Sequence, residues 1–124
     1  MRYVLILSGL FFTSASAQLN TKITKTPSGF KLSVNSRPYF IKGAVGKDYL
    51  EKLRDYGGNS IRTNSDKDVL DKAHALGLTA LVNLPVRAER DGMNYDDAEA
   101  VRKQHDGVME IVNRVKNHPA VIMW

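Results

Sequence analysis

KDYLEKLRDYGGNSIRTNSDKDVLDKAHALGLTALVNLPV, residues 47–86, changes its hydrophobic period three times. Tyr49, Leu50, Leu53 and Tyr56 recur at helical spacing with charged residues opposite, so a helix is expected over Lys47 to Tyr56. Gly57-Gly58 stops it, because glycine enters the left-handed conformation that ends helices. Asn59-Ser60-Ile61-Arg62-Thr63 then reads as a short strand. Ser65 or Asp66 can cap a second helix whose apolar face carries Val69, Leu70, Ala73 and Leu76, ended by Gly77. Leu78 to Val86 is a nearly continuous apolar run, with Thr79 and Asn83 as its polar members, and is expected to be a strand.

The same alternation extends on both sides. Upstream, Ile23 to Ile41 reads as β, with turns at Pro27-Ser28-Gly29 and at Asn35-Ser36-Arg37-Pro38. Phe30, Leu32 and Val34 alternate with Lys31 and Ser33, so a small hairpin leads into a strand running to about Val45. Downstream, Arg87 to Tyr95 is a charged loop, and Asp96 to Asn117 reads as the longest helix. Its expected buried side carries Val101, Val108, Ile111, Val112 and Val115. His118-Pro119 breaks that helix, and Ala120 to Trp124 opens a fourth strand. Strands alternating with helices imply parallel pairing, since parallel neighbours need a crossover. An open doubly wound sheet and a (β/α)8 barrel share this pattern. No glycine-rich phosphate loop follows any of the strands, which removes the usual reason to prefer the nucleotide-binding sheet.

Composition narrows the function classes. The chain has 124 residues, 18 Lys and Arg against 13 Asp and Glu, and no Cys. Thiol nucleophiles, disulfides and Cys-ligated zinc are therefore excluded. The basic residues are spread among acids, so nucleic acid is not an expected partner. Met1-Arg2-Tyr3, the apolar run Val4 to Phe12 and the small residues Thr13 to Ala17 have the layout of a secretory signal peptide. Cleavage is expected between Ala17 and Gln18, leaving 107 residues. The apolar run is shorter than the roughly 20 residues of a bilayer span, so no membrane association is expected after cleavage. A secreted chain without Cys points to the exterior or the periplasm of a bacterium. His74 and His105 lack ligand-spaced partners, and neither a metal nor a cofactor is expected.

The acids read mainly as helix caps. Asp96 and Asp97 adjoin a helix start, where carboxylates accept from free N–H groups and oppose the dipole; Asp48, Asp66 and Asp68 lie near the other starts. Arg62 closes the second strand of the alternation, on the side where barrel active sites are built. Asn59, at the start of that strand, is expected to bond backbone. Asn83 has two readings, pocket lining or a hydrogen-bonded core residue. Arg87, Glu89, Arg90 and Tyr95 belong to the loop after the third strand, as ligand contacts or as a solvated loop. His118 is expected to be structural. Trp124 is either a stacking floor for a ring-shaped ligand or an unfilled core residue.

Five segments in order resemble one family. Phe30-Lys-Leu-Ser-Val-Asn-Ser-Arg-Pro-Tyr-Phe-Ile-Lys-Gly43 is similar to the strand-turn-strand that opens family 2 glycoside hydrolase catalytic domains. Leu53-Arg-Asp-Tyr-Gly-Gly-Asn-Ser-Ile-Arg-Thr63 resembles their second-strand segment, and Val69-Leu-Asp-Lys-Ala-His-Ala-Leu-Gly-Leu78 the helix after it. Glu89-Arg-Asp-Gly-Met-Asn-Tyr95 resembles a third-loop segment of a secreted bacterial branch, and Asn117-His-Pro-Ala-Val-Ile-Met-Trp124 the fourth strand. The resemblance implies an α/β fold, the first half of a (β/α)8 TIM barrel with about four parallel strands and three helices behind a short hairpin. It divides the chain into a signal peptide (1–17), the hairpin and start of the first barrel strand (18–42) and a partial glycosidase domain (43–124). Where many members carry a His shortly after the second strand, this chain has Asn64-Ser65-Asp66.

The implied activity is hydrolysis of β-glycosides with retention, on an oligo- or polysaccharide. In the family the fourth strand runs through Trp into Gly-x-Gly-Asn-Glu, whose Glu is the acid/base, and the nucleophile lies on the seventh strand. Both glutamates are then expected beyond residue 124, with Arg62 supporting the nucleophile and Asn83, Arg87, Glu89, Tyr95 and Trp124 contacting substrate. The chain alone is expected to be inactive. Two alternatives stand beside this reading: part of a glucan transglycosylase on a similar barrel, suggested by Tyr39-Phe-Ile-Lys-Gly43, and a non-catalytic sugar-binding half barrel that pairs with itself through open sheet edges.

Overall fold

A computed structural model describes residues 19–124. The expected signal peptide lies outside the described residues. The chain begins with an antiparallel sheet of β1 (Thr21–Thr26), β2 (Gly29–Val34) and β3 (Arg37–Pro38), in the order β1-β2-β3. The second turn is tighter than the sequence suggests. Asn35 and Ser36 both take positive φ (48° and 64°), as a two-residue hairpin turn needs, and this frees Arg37 and Pro38 to pair with Val34 and Ser33. Pro38 is tolerated because β3 is an edge.

A parallel sheet follows, built from β4 (Gly43–Val45), β5 (Ser60–Thr63), β6 (Thr79–Val82) and β7 (Val121–Met123), in sequential order. The crossovers carry α1 (Leu50–Asp55), α2 (Lys67–Ala75) and α3 (Ala98–Val115). Register separates the two faces. The row Ala44, Ile61, Ala80, Val121 turns toward the helices, where Ile61, Ala80 and Val121 join Leu50, Leu70, Ala73, Leu78, Val82, Val115 and Ala120 in one core. The row Val45, Arg62, Leu81, Met123 turns to the opposite face. Gly43 is required where β4 meets β5, since a Cβ there would lie 2.5 Å from the Ser60 carbonyl oxygen.

Several expected elements are shorter. The lead-in strand stops at Pro38 and resumes at Gly43, because the Asn59 side chain takes over the intervening backbone: Nδ2 donates to Phe40 O (2.8 Å) and Oδ1 accepts from Lys42 N (2.8 Å). The strand expected over Leu78 to Val86 is only Thr79–Val82; Pro85 offers no N–H to a neighbour. Asp66 and Asp97 cap α2 and α3, Asp97 Oδ1 accepting from Glu99 N (2.9 Å) and Ala100 N (3.2 Å). Asp96 is not the cap, and α1 starts without a side-chain cap at Tyr49, whose φ is 56°. Of the valines and isoleucine expected to be buried on α3, only Val115 is; Val101, Val108, Ile111 and Val112 are half-buried. The reason is length: an 18-residue helix runs about 27 Å, whereas three-residue β7 runs about 10 Å, so most of α3 overhangs the sheet.

Tyr39 ties the hairpin to the N-terminal end of the parallel sheet. Its hydroxyl donates to Asn59 O (3.0 Å) and lies 3.1 Å from both Ser60 Oγ and Thr79 Oγ1, which are themselves 2.8 Å apart. Ser60 is fully buried and also donates to Asn59 Oδ1 at 2.9 Å. Tyr39→Phe removes the phenolic partner from buried hydroxyls and is expected to destabilise by about 1–3 kcal/mol. Urea unfolding monitored by circular dichroism checks this, with an unchanged slope m as the sign that the fold itself is kept.

Candidate functional site

Arg62 is the last residue of β5 on the face away from the helices, and strand alternation carries Asn83, two positions beyond its neighbour Leu81, to the same side. The two meet there: Arg62 Nε donates to Asn83 Oδ1 at 2.7 Å. Asn83 therefore lies past the strand end and is exposed, which corrects its expected place inside an apolar strand and removes the core reading. Trp124, 45% exposed just beyond β7, completes a cavity of about 400 Å³ with Arg62, Leu81, Val82, Asn83 and Leu84. The C-terminal ends of three adjacent strands thus converge on one mouth. A guanidinium there, oriented by an amide oxygen at Nε, offers its remaining N–H groups to a carboxylate or a sugar oxygen.

The loop residues form a second, separate group. Tyr95 Oη donates to Arg87 O (2.6 Å), Arg87 N donates to Gln104 Oε1 (2.8 Å), and Gln104 Nε2 donates to Tyr95 Oη (3.3 Å). The Arg87 guanidinium is turned back to Asp91 O, closing the loop on itself. Arg87 lines a cavity of about 670 Å³ against α3, with Met93, Asp97, Gln104 and Arg114. Glu89 and Arg90 belong to a one-turn 3-10 helix, Glu89–Asp91, and are exposed. The structure therefore groups Arg62, Asn83 and Trp124, couples Arg87 to Tyr95, and joins Glu89 to neither cavity.

Gln104 is a contact the sequence reading missed, as is the partner of His118. His118 is buried, and its Nδ1 accepts from Ala120 N (3.1 Å), which leaves the ring proton on Nε2 to donate to Asp71 Oδ1 (2.9 Å). The expectation of a structural role holds: the ring ties α2 to the start of β7. The Lys67 ammonium, and after it the His118 ring, hold the Asp71 carboxyl below the usual carboxylate range. Glu51 is lowered likewise, by its own backbone N–H and by Lys72. The acids with resolved contacts are thus occupied in caps and pairs: Asp66, Asp97, Asp71, Glu51 with Lys72, Asp55 with Arg54, Asp91 with Arg90, and Asp106 with His105. Among the described residues no group of three or more His, Cys, Asp or Glu could hold a metal, and no helix is long and apolar enough to cross a membrane.

Neither a family model nor a curated protein sequence matches the chain. Among solved structures it is similar to the β-glucuronidase from Ruminococcus gnavus, determined in complex with a C6-substituted uronic isofagomine. The superposition has a TM-score of 0.59 over 84% of this chain, at 23% identity. The likeness shows an α/β fold. At that identity the likeness is one of architecture: four parallel strands with their helices, belonging to an α/β barrel, behind an antiparallel sheet. The chain spans 20% of the length of the glucuronidase chain.

Proposed function

We propose that the chain is the opening part of the catalytic barrel of a secreted or periplasmic family 2 glycoside hydrolase that cleaves β-glycosides with retention. The observation that carries the reading is the Arg62–Asn83 pair at the mouth of a glycosidase-like sheet, on the face where barrel enzymes place their chemistry. The β-linkage is supported by the name of the similar structure and by the sequence resemblance.

Retaining hydrolysis needs two carboxyl groups about 5 Å apart. One protonates the leaving oxygen; the other attacks the anomeric carbon and is later displaced by water, which the first then deprotonates. No cofactor enters. The acids with resolved contacts are engaged elsewhere, so the proposal assigns both catalytic roles to glutamates following Trp124 and leaves this chain inactive alone. Arg62 is the residue of this segment that would hold the nucleophile ionised, and Asn83 would fix the plane of its fork. Trp124 would present an aromatic face to the sugar ring. Arg87, Tyr95 and Glu89, in and beside the loop after β6, would contact the substrate farther out.

The test is a panel of aryl β-glycosides offered to the protein encoded by the uninterrupted reading frame, with the first product followed by proton NMR. Release of the β-anomer, before mutarotation, is the expected result. Initial release of the α-anomer, or no hydrolysis of any β-glycoside by a folded protein, would overturn the proposal. Transfer products in place of reducing sugar would favour the transglycosylase alternative.

A further inference from the structure

A polar link runs from the middle of α3 toward the guanidinium of Arg62. Asn83, whose Oδ1 accepts from Arg62 Nε, stands at the root of the long connection between β6 and α3. A side chain on an exposed connection keeps one orientation only where the backbone beneath it is held. On the strand side it is held: Asn83 N donates to Thr63 O (2.7 Å), extending the β5–β6 ladder by one step. On the loop side the next fixed point is Arg87, and side chains take both of its backbone polar groups. Arg87 N donates to Gln104 Oε1 (2.8 Å), and Arg87 O accepts from Tyr95 Oη (2.6 Å). Gln104 Nε2 donates to Tyr95 Oη (3.3 Å), which closes the three residues into a ring of hydrogen bonds. Residues 85–92 are exposed, whereas Gln104 is half-buried on an 18-residue helix. Gln104 is therefore the rigid end of the link.

The stretch between Asn83 and Arg87 is short and stiff. The ring of Pro85 fixes its φ, and Val86 N donates to Leu84 O (2.8 Å), folding these three residues into one tight turn. A displacement of Arg87 is passed on to Asn83 rather than absorbed. We propose that Gln104 is a positioning residue for Arg62: it clamps Arg87 and, through the Leu84–Val86 turn, holds the Asn83 amide where it orients the guanidinium. Gln104 hydrogen-bonds neither Arg62 nor Asn83, so it acts only through the loop. The kinetic consequence rests on the catalytic role proposed for Arg62; the effect on the Arg62–Asn83 bond does not.

Two readouts on the protein encoded by the uninterrupted reading frame test this. The first is the Arg62 Nε–H signal in protein carrying isotope-labelled arginine, assigned by its loss in Arg62→Lys, with its exchange with water reporting the bond to Asn83. Gln104→Met keeps the side-chain length and removes both the acceptor and the donor. It is expected to quicken that exchange about fivefold, the factor a single neutral hydrogen bond supplies. Gln104→Glu keeps an acceptor for Arg87 N and should stay within about twofold of the parent. Tyr95→Phe frees Arg87 O, is expected to act like Gln104→Met, and stands in for it should that variant fail to fold. The second readout is a double-mutant cycle in kcat. Gln104→Met alone is expected to cost about fivefold, but less than about twofold once Asn83 is Ala, because the link runs through that amide. Unchanged exchange in both Gln104→Met and Tyr95→Phe would overturn the proposal. Equal quickening in Gln104→Glu and Gln104→Met, or equal kcat losses with and without Asn83, would overturn it too. If no β-glycoside is hydrolysed, the catalytic reading fails and the exchange measurement alone decides the clamp.

Discussion

Leu70→Ala will lower the stability of the chain by about 2–5 kcal/mol. Leu70 is fully buried on α2, in the core shared by Ile61 and Val82 of the sheet and Ala73 of the same helix. Truncation removes its transfer free energy and leaves a cavity that short strands held by neighbouring backbones cannot close. A domain of this size has only about 5–15 kcal/mol in total, and each kcal/mol moves its midpoint by roughly 4–8 °C. The melting temperature is therefore expected to fall by about 8–40 °C. Val69→Ala, at a partly buried position on the same helix, serves as the comparison and should lose less than half as much. Calorimetry at one fixed protein concentration decides it, because association would otherwise move the midpoint. A Leu70→Ala midpoint within a few degrees of the parent would contradict the placement of this core.

The second large effect is on activity. In the enzyme encoded by the uninterrupted reading frame, Arg62→Ala is expected to reduce kcat by about 10²–10³, the range seen when one preorganised charge-stabilising donor is removed. Arg62→Lys should rescue little, since an ammonium lacks the planar fork that both accepts orientation from Asn83 and holds a carboxylate in two contacts. Asn83→Ala acts only through Arg62, so a loss of about tenfold in kcat with KM nearly unchanged is expected, by the scale of a single neutral hydrogen bond. Arg62 is exposed, so the melting temperature of each variant should stay within about 2 °C of the parent, by the small effect of surface substitutions. Steady-state kinetics on the best aryl β-glycoside checks both. Wild-type turnover in Arg62→Ala would remove this residue from the mechanism.

The order of elements was legible because local signals agreed with one another: Gly57-Gly58 and Gly77 end helices, and Asp66 and Asp97 cap the next ones. Strand limits were less so. Leu84, Pro85 and Val86 continue an apolar run although the pairing stops at Val82, since hydropathy does not record which backbone groups have a neighbour. The half-burial of the apolar stripe on α3 was hidden for a related reason: the stripe is regular, but the sheet beneath is shorter than the helix. Arg62 could be placed at a strand end from its position alone. Its bond to Asn83 could not, because it depends on the register that sets Arg62 beside Leu81. The Tyr39 hydroxyl meets partners 20, 21 and 40 positions away, and His118 meets Asp71 across 47. Contacts over such separations leave no periodic trace in a single sequence.

The most direct test of the central claim is the coding DNA read onward from the Trp124 codon. The account predicts Gly-x-Gly-Asn-Glu within the next few codons, then well over 100 further codons carrying a second glutamate at a strand end. An immediate stop codon, or a continuation without a glutamate at the end of the fourth strand, would contradict it.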